Sequence, residues 1–105
     1  MARFDVYANS GKGRTSTPYL VDVQSDFLEG LSTRVVVPLI QADAFPPGKL
    51  PADFTPSFDI GGVRCILHPA FLAAVPLSEL GPKAGSLREH RDRITAAMDR
   101  LLGAY

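Results

Sequence analysis

The chain has 105 residues, of which 46% are hydrophobic and 21% are charged, and its eleven basic residues balance its eleven acidic ones. This length and composition exclude a disordered chain and predict one globular domain spanning residues 1–105. The neutral balance argues against a dominant nucleic-acid surface, because phosphate binding usually shows as a basic excess.

The single cysteine, Cys65, cannot form an internal disulfide and cannot build a metal site alone. The N-terminus lacks the long apolar run of a signal peptide, and no stretch approaches the roughly 18 apolar residues needed to cross a bilayer. We therefore expect a cytoplasmic protein without membrane contact.

The first part of the chain alternates polar and apolar residues in two short runs. ARFDVYA places Phe4 and Val6 on one face of a half-buried strand, and YLVDVQS repeats the alternation after a polar, Gly-rich loop. The Ser25-Asp26 pair that follows predicts a turn with side-chain to backbone bonds. RVVVPLI predicts a buried strand that ends or bulges at Pro38.

The middle of the chain combines a proline-rich segment with a hairpin signal. QADAFPPGKLPADFTP contains four prolines, so regular sheet is not expected there. SFDI-GG-VRCIL predicts a β-hairpin, because Gly61 and Gly62 can take the positive φ angles of a two-residue turn. A short helical turn from Pro69, an extended VPL and a break at GPKAG follow.

The last segment, SLREHRDRITAAMDRLL, predicts a helix. Ser86 and Glu89 match an S-x-x-E capping box, and Gly103 stands where a helix C-cap is expected. The helical arginines interleave with acidic residues, which predicts i,i+3 and i,i+4 ion pairs on a solvated face. The apolar positions at helical spacing are Leu87, Ile94, Ala97, Met98 and Leu101.

The order of elements is four or five antiparallel strands followed by one helix. This order predicts a mainly β fold with α: a small antiparallel β-barrel-like sheet packed by a C-terminal α-helix.

The residues offer no catalytic constellation. His68 and His90 stand far apart without clustered Asp, Glu or Cys, which makes a metal site improbable. Cys65 occupies an apolar strand position typical of a buried, inert thiol. The GKGR stretch lacks the spacing of a phosphate loop. We therefore expect no enzyme activity, no metal and no cofactor.

Five stretches in order carry a resemblance to a known family: YLVDVQSDFL (19–28), RVVVPL (34–39), TPSFDIGG (55–62), VPLSELG (75–81) and SLREHRDRI from Ser86. Together they resemble the CcdB toxin family of bacterial toxin–antitoxin modules. The likeness covers nearly the whole chain, with short length differences in loops.

The resemblance implies a homodimer of small SH3-like β-barrel subunits, each with a C-terminal helix, in the superfamily of the MazF and Kid ribonuclease toxins. It implies a poison that binds the DNA gyrase A subunit and traps the enzyme on cleaved DNA. It also implies a cognate antitoxin whose disordered tail neutralises the toxin, with operator DNA bound only through the antitoxin in an autoregulated, repressed operon.

The resemblance assigns gyrase-binding residues to two places. The apolar pair after VDVQSD is Phe27 and Leu28. The family prototype ends in Phe-Trp-Gly-Ile, and aligning its Gly with Gly103 sets Leu102 in the place of the Trp. The implied residues are Phe27, Leu28, Met98, Leu101, Leu102, Gly103, Ala104 and, as an additional residue, Tyr105.

Two alternatives stay open. Because the chain contains no Trp, a retargeted or inactive homologue would dimerise and bind antitoxin without poisoning gyrase. A MazF-like endoribonuclease would need a base and a cation, for which Arg64 and His68 are the candidates. For antitoxin contact, the exposed loop with Ser10, Lys12 and Arg14 supplies cations that suit an acidic disordered partner.

Overall fold

A computed structural model describes residues 1–45 and 50–103. The chain forms a curled antiparallel sheet and one C-terminal helix, which confirms the predicted mainly β fold with α. The described elements are β1 Asp5–Asn9, β2 Tyr19–Asp22, β3 Thr33–Gln41, β4 Ser57–Ile60, β5 Val63–Leu67, β6 Ala73–Pro76, β7 Leu80–Ser86 and α1 Arg91–Leu102.

Seven strands are present in the described ranges, and the prediction of four or five was therefore too low. Their order is β4-β5-β3-β2-β1-β7, with β6 also paired to β3. The first half of β3 pairs with β6 and its last three residues pair with β5. The sheet therefore divides along β3 and curls into a half-barrel.

The prediction that a strand ends or bulges at Pro38 was wrong, because β3 continues to Gln41. Pro38 lies between Val36, which still pairs with β6, and Leu39, which already pairs with β5. The Pro38 carbonyl accepts from the His68 N–H at 3.1 Å. A proline is tolerated at this position because β3 changes partner there and no ladder N–H is needed.

The predicted break at GPKAG was also wrong, because these residues belong to β7. The register between β1 and β7 shifts at two places, between Val6 and Tyr7 and between Tyr7 and Asn9. Such irregularities accommodate Pro and Gly in a strand. At Gly81 a Cβ would lie 2.9 Å from the Ala8 carbonyl oxygen, so the close approach of the two strands requires a glycine.

The β4–β5 hairpin is confirmed. Ile60 pairs with Val63 across the turn, and Phe58 pairs with Cys65. Gly61 and Gly62 have φ angles of 55° and 84°, the left-handed conformations that a two-residue hairpin turn favours.

The core lies between one face of the sheet and α1. The sequence predicted half-buried first strands, but Asp5, Tyr7 and Asp22 on the other face are buried as well. The curl of the sheet covers this second face, which alternation within a single strand does not reveal. The core residues are Phe4, Val6, Val21, Val23, Val37, Leu39, Phe58, Ile60, Cys65, Leu67, Leu87, Ile94, Ala97 and Met98.

The start of α1 differs from the predicted capping box. Ser86 still ends β7, and its Oγ accepts from the Arg88 N–H at 3.2 Å. A short 3-10 turn, Arg88–His90, separates this serine from α1, whose N-cap residue His90 makes no side-chain cap bond. Strand β7 therefore leads into α1 through the 3-10 turn Arg88–His90. The S-x-x-E signature of Ser86 and Glu89 lies at this turn and not at the first turn of α1.

The end of α1 is as predicted, because Gly103 takes φ 72° and its N–H donates to the Asp99 carbonyl. The predicted ion pairs within the helix are not formed among the described residues. Arg100 instead pairs with Asp53 at 2.6 Å, and Arg93 reaches the β4 backbone. None of the described helices is long and apolar enough to cross a membrane.

Candidate functional site

The turn after β2 presents two apolar side chains to solvent. It is a 3-10 turn, Asp26–Leu28, in which Phe27 is 98% exposed and Leu28 is 51% exposed. Both residues were assigned to gyrase binding from the sequence. A fully exposed phenylalanine on a short structured turn is a typical anchor for a macromolecular partner.

Side chains from both ends of the segment hold this turn. The Ser25 Oγ accepts from the Phe27 N–H at 3.2 Å, which confirms the predicted side-chain to backbone bond. The Asp26 carboxylate accepts from the Arg3 N–H at 2.8 Å. The Arg3 Nε in turn donates to the Val23 carbonyl at 2.9 Å. The chain start is thereby tied to both sides of the turn.

The buried side chain of Gln24 connects the turn to the sheet. Its Nε2 donates to the Leu28 carbonyl at 2.8 Å, and its Oε1 accepts from the Val35 N–H at 3.0 Å. The Gln24 N–H donates to the Asp22 Oδ1 at 2.9 Å. Because every bond is to the backbone or to a buried carboxylate, Gln24 fixes the turn relative to β3.

The carboxylate that accepts from the Gln24 N–H belongs to a buried ion pair between Asp22 and Arg34. Asp22 and Arg34 have 0% and 1% of their side-chain surface exposed. The Arg34 Nε donates to the Asp22 Oδ2 at 2.9 Å, and the Arg34 Nη2 donates to the same oxygen. Burial raises the pKa of the Asp22 carboxyl, while Arg34 and the Gln24 N–H act against that rise.

Tyr7 and Asp5 are buried on the same face of the sheet as Asp22. The Tyr7 hydroxyl donates to the Asp5 Oδ2 at 3.4 Å, and Lys83 lies 3.4 Å from the other carboxylate oxygen. Burial and the carboxylates of Asp5 and Asp22 raise the pKa of the Tyr7 phenol to about 12. The phenol therefore stays neutral and keeps its role as a donor at physiological pH.

The end of α1 holds the second group of assigned residues. Met98 is buried in the core and Leu101 is half-buried, so both pack against the protein itself. Leu102 is 67% exposed, and Gly103 is exposed beside it. Ala104 and Tyr105, also assigned to gyrase binding, lie outside the described residues.

Arg64 and His68, the two candidates for the ribonuclease alternative, each contact a separate set of side chains. Arg64 forms an exposed ion pair with Asp59 at 2.9 Å. The His68 ring stacks on Phe71 with centroids 4.1 Å apart, and Phe45 and Phe54 lie beside it. Burial lowers the pKa of His68.

Cys65 and His90 agree with the expectations from the sequence. Cys65 is fully buried, and burial raises the pKa of its thiol, which is therefore unreactive. His90 is exposed, as predicted. Within residues 1–45 and 50–103, no cluster of His, Cys, Asp and Glu has the composition of a metal site.

The loop assigned to antitoxin contact exposes its cations. Lys12 and Arg14 are both exposed, and Ser10 Oγ donates to the Glu79 carbonyl at 2.6 Å, which attaches the loop to the turn before β7.

Sequence reasoning missed the side chains that hold the exposed turn, namely Arg3, Gln24 and Arg34. Alternation places Gln24 on the face opposite the core, where polar residues normally meet water. Its burial depends on the curl of the sheet, for which a single strand carries no signal. Arg34 begins the predicted buried strand RVVVPLI, but its pairing with Asp22 joins two strands and leaves no local pattern.

Known proteins share this architecture. Two solved endoribonucleases from mycobacterial species are similar in fold. One, in complex with its cognate antitoxin, has a TM-score of 0.74 and 16% identity over 98% of this chain and 95% of its own. The other has a TM-score of 0.70 and 15% identity over 98% and 91%. No curated protein matches the chain.

The half-barrel sheet with its C-terminal helix is therefore a fold that the chain shares with these two endoribonucleases. The sequence model described as "CcdB: CcdB protein" matches residues 3–103, and the chain belongs to the CcdB family. The family resemblance found in the sequence is thus confirmed. Membership supports a toxin of a toxin–antitoxin module.

Proposed function

We propose that this protein is a toxin that binds the DNA gyrase A subunit and traps gyrase on cleaved DNA. The observation that carries the proposal is the exposure of Phe27 on a turn held by side-chain hydrogen bonds. The family resemblance assigns this position to gyrase contact, and membership in the family supports the assignment.

Phe27 and Leu28 have the properties of an interface anchor. Burying such a side chain against a partner contributes about 1.5–3 kcal/mol. The turn is already ordered by Ser25 and Gln24, so binding loses little conformational entropy there.

The end of α1 is the second part of the proposed gyrase surface. Leu102 replaces the prototype Trp, so it contributes buried apolar area but loses the roughly 0.5–1.5 kcal/mol of an aromatic pair. Leu101, Gly103, Ala104 and Tyr105 complete the proposed surface, with Tyr105 as a ring at a shifted position. Met98 contributes by packing beneath it.

A homodimer is part of the proposal. Residues 71–77, FLAAVPL, are all apolar, and within the described chain β6 pairs with β3 alone. An apolar edge strand of this kind needs a cover, because it exposes unpaired backbone groups to other chains. A second copy of the chain supplies that cover in the proposed assembly.

The oligomeric state tests this part directly. We expect the mass in solution to be that of two chains, and the exposed-site substitution Ala73→Lys on β6 to shift it toward one chain. The matched control is Ala52→Lys, at an exposed position outside the sheet. A monomeric unmodified protein would contradict the dimer.

Neutralisation by a cognate antitoxin is proposed through the cationic loop with Ser10, Lys12 and Arg14. Acidic disordered segments suit such a loop because the charges are complementary. Operator DNA would be bound only through the antitoxin. A short reading frame directly upstream would encode this partner, and its product should bind less tightly to the double variant Lys12→Gln/Arg14→Gln.

We propose that the protein acts by binding and has no enzyme activity. The observation that favours the alternative of a retargeted homologue is the absence of Trp from the chain.

Binding to a purified gyrase A fragment tests the proposed surface. We expect Phe27→Ala to weaken binding by more than tenfold and removal of residues 103–105 to abolish it. Leu50→Ala, at an exposed apolar side chain outside both proposed surfaces, should retain affinity. Equal losses for Phe27→Ala and Leu50→Ala would contradict the assignment, provided that both variants keep their melting temperatures.

A further inference from the structure

Three basic side chains converge on a small cavity beside the edge strand β4. Arg64 comes from β5, Arg93 from α1, and His90 from the turn before α1. The cavity has a volume of about 260 Å³, and Ser57 and Asp59 of β4 form its other polar walls. We refer to it as the β4 pocket.

The guanidinium of Arg93 is oriented before any ligand arrives. It lies 4.6 Å from the centre of the Phe58 ring, and its Nη2 donates to the Ser57 carbonyl at 3.3 Å. Phe58 is itself a buried core residue, so the plane against which Arg93 rests is rigid. No carboxylate of the described residues pairs with Arg93, and most of its N–H donors are therefore available.

A second guanidinium, that of Arg64, also lines the β4 pocket. Arg64 pairs with Asp59 at 2.9 Å and donates to the Ser57 Oγ at 3.1 Å. Among the described lining residues Asp59 is the only carboxylate, and it balances the charge of Arg64, so Arg93 leaves the pocket positive. The His90 ring lies 5.3 Å from the Phe58 ring and adds a further nitrogen donor.

The geometry points to a phosphate group as the ligand of the β4 pocket, and we propose that it binds a phosphate ester of a nucleotide. The free N–H donors of the Arg93 guanidinium match two phosphate oxygens, and Arg64 places a second guanidinium, paired with Asp59, in the same lining. The Ser57 hydroxyl and the His90 ring supply further hydrogen-bonding groups around a tetrahedral anion. The volume accommodates a phosphate with the sugar attached to it.

An acidic peptide fits this pocket less well. An extended peptide would add to the free edge of β4, but Arg93 already occupies the Ser57 carbonyl that faces α1. The neighbouring groove along α1 is lined by Asp53 and Asp92, which repel a chain of carboxylates. A compact anion in the β4 pocket avoids both obstacles.

Titration of the labelled protein with three probes tests the proposal: inorganic phosphate, adenosine 5′-monophosphate and a 5′-phosphorylated single-stranded RNA of eight nucleotides. We expect resonances of Ser57, His90 and Arg93 to shift with a saturable dependence. Saturation by all three probes at similar concentrations identifies a simple phosphate site, and much tighter binding of the RNA identifies a strand as the source.

Variants separate this site from general charge attraction. Arg93→Gln should weaken binding at least about tenfold, as expected for loss of a charged hydrogen-bond partner. Arg93→Lys should retain part of the affinity, because it keeps the positive charge. It should not retain all of it, because it loses the paired N–H donors of the guanidinium. The matched control is Arg100→Gln, on the same helix but paired with Asp53 outside the pocket.

The proposal is overturned if none of the three probes shifts these resonances, or if Arg93→Gln and Arg100→Gln weaken binding equally. It is also overturned if a polyglutamate peptide saturates the pocket and the phosphates do not. Melting temperatures of the variants identify any loss that comes from unfolding. The result is independent of gyrase binding, because the β4 pocket contains none of the residues proposed for that surface.

Discussion

The guanidinium of Arg34 and the carboxylate of Asp22 form an ion pair inside the half-barrel, on the sheet face opposite the hydrophobic core. Removing two charges from water costs several kcal/mol for each ion, and their attraction only partly offsets this. The pair is therefore a weak source of stability by itself. Its contribution is structural, because the same carboxylate accepts the Gln24 N–H beneath the exposed turn.

Breaking this pair from one side should be strongly destabilising. We expect Arg34→Met to lower the free energy of unfolding by about 3–5 kcal/mol, since it leaves the Asp22 carboxylate buried without its partner. Chemical denaturation at pH 7 measures the change.

Removing both charges together supplies the control. Asp22→Leu/Arg34→Met should recover most of the stability that Arg34→Met loses. A double variant as unstable as the single one would contradict this account of the pair.

Gln24 should act as a positioning residue for Phe27. In Gln24→Leu the Leu28 carbonyl and the Val35 N–H lose their partners, so we expect a loss of about 1–3 kcal/mol and faster hydrogen exchange at the Leu28 amide. Gyrase binding should weaken as well. Gln24→Glu keeps an acceptor for the Val35 N–H, so its stability and its exchange rate at Leu28 should lie between those of the unmodified protein and Gln24→Leu.

A matched substitution separates positioning from general destabilisation. Gln41→Leu changes a glutamine at the far end of β3 and should leave exchange in the Asp26–Leu28 turn unchanged. If exchange at Leu28 is the same in Gln24→Leu and Gln41→Leu, Gln24 does not hold the turn.

The sequence predicted the local features of the fold better than its curvature. The Gly61-Gly62 hairpin, the Ser25 bond and the Gly103 cap depend on a few neighbouring residues, and all three are present. Pro38 was misread because a proline inside a strand is acceptable only where the strand changes partner. That change is a property of the whole sheet.

The same limit explains the candidate site. VDVQSD and the apolar pair after it indicated the exposed turn, but alternation made Gln24 look like a surface residue. Nothing in the predicted buried strand RVVVPLI indicated that Arg34 pairs with Asp22. Likewise, the arginines of α1 were predicted to pair within the helix, whereas Arg93 and Arg100 bind groups that lie 36 and 47 positions away in the chain. Contacts of that range leave no local pattern.

Stability should fall in mild acid because of His68. Burial among Phe45, Phe54 and Phe71 lowers the pKa of His68 from 6.5, so the unfolded chain binds more protons below that value. The stability that this neutral ring provides is complete above about pH 6.5 and is lost as the pH falls toward its folded-state pKa.

Denaturation between pH 7 and pH 5 measures this effect. We expect a shallower pH dependence for His68→Phe, which keeps the aromatic stacking without the titration. His90→Gln, at the exposed histidine, should retain the His68 effect. Identical pH profiles for the unmodified protein and His68→Phe would contradict the prediction.

Alkaline conditions should reveal the buried phenol of Tyr7. Its pKa is raised from 10 to about 12, so the folded state keeps a proton that the unfolded state releases. This contribution is complete below pH 10 and is lost as the pH rises through about 12. We expect Tyr7→Phe to reduce the loss of stability above pH 10 in denaturation measurements, and an unchanged profile would contradict it.

The proposed poisoning of gyrase by this CcdB-family protein, through the exposed Phe27 turn and the end of α1, is tested most directly by DNA cleavage. The assay contains purified gyrase, supercoiled DNA and ATP. We predict that the unmodified protein accumulates linear, protein-linked DNA, that Phe27→Ala does so at least about tenfold less efficiently, and that Leu50→Ala retains the effect. No accumulation of cleaved DNA with the folded, unmodified protein would contradict the proposed function.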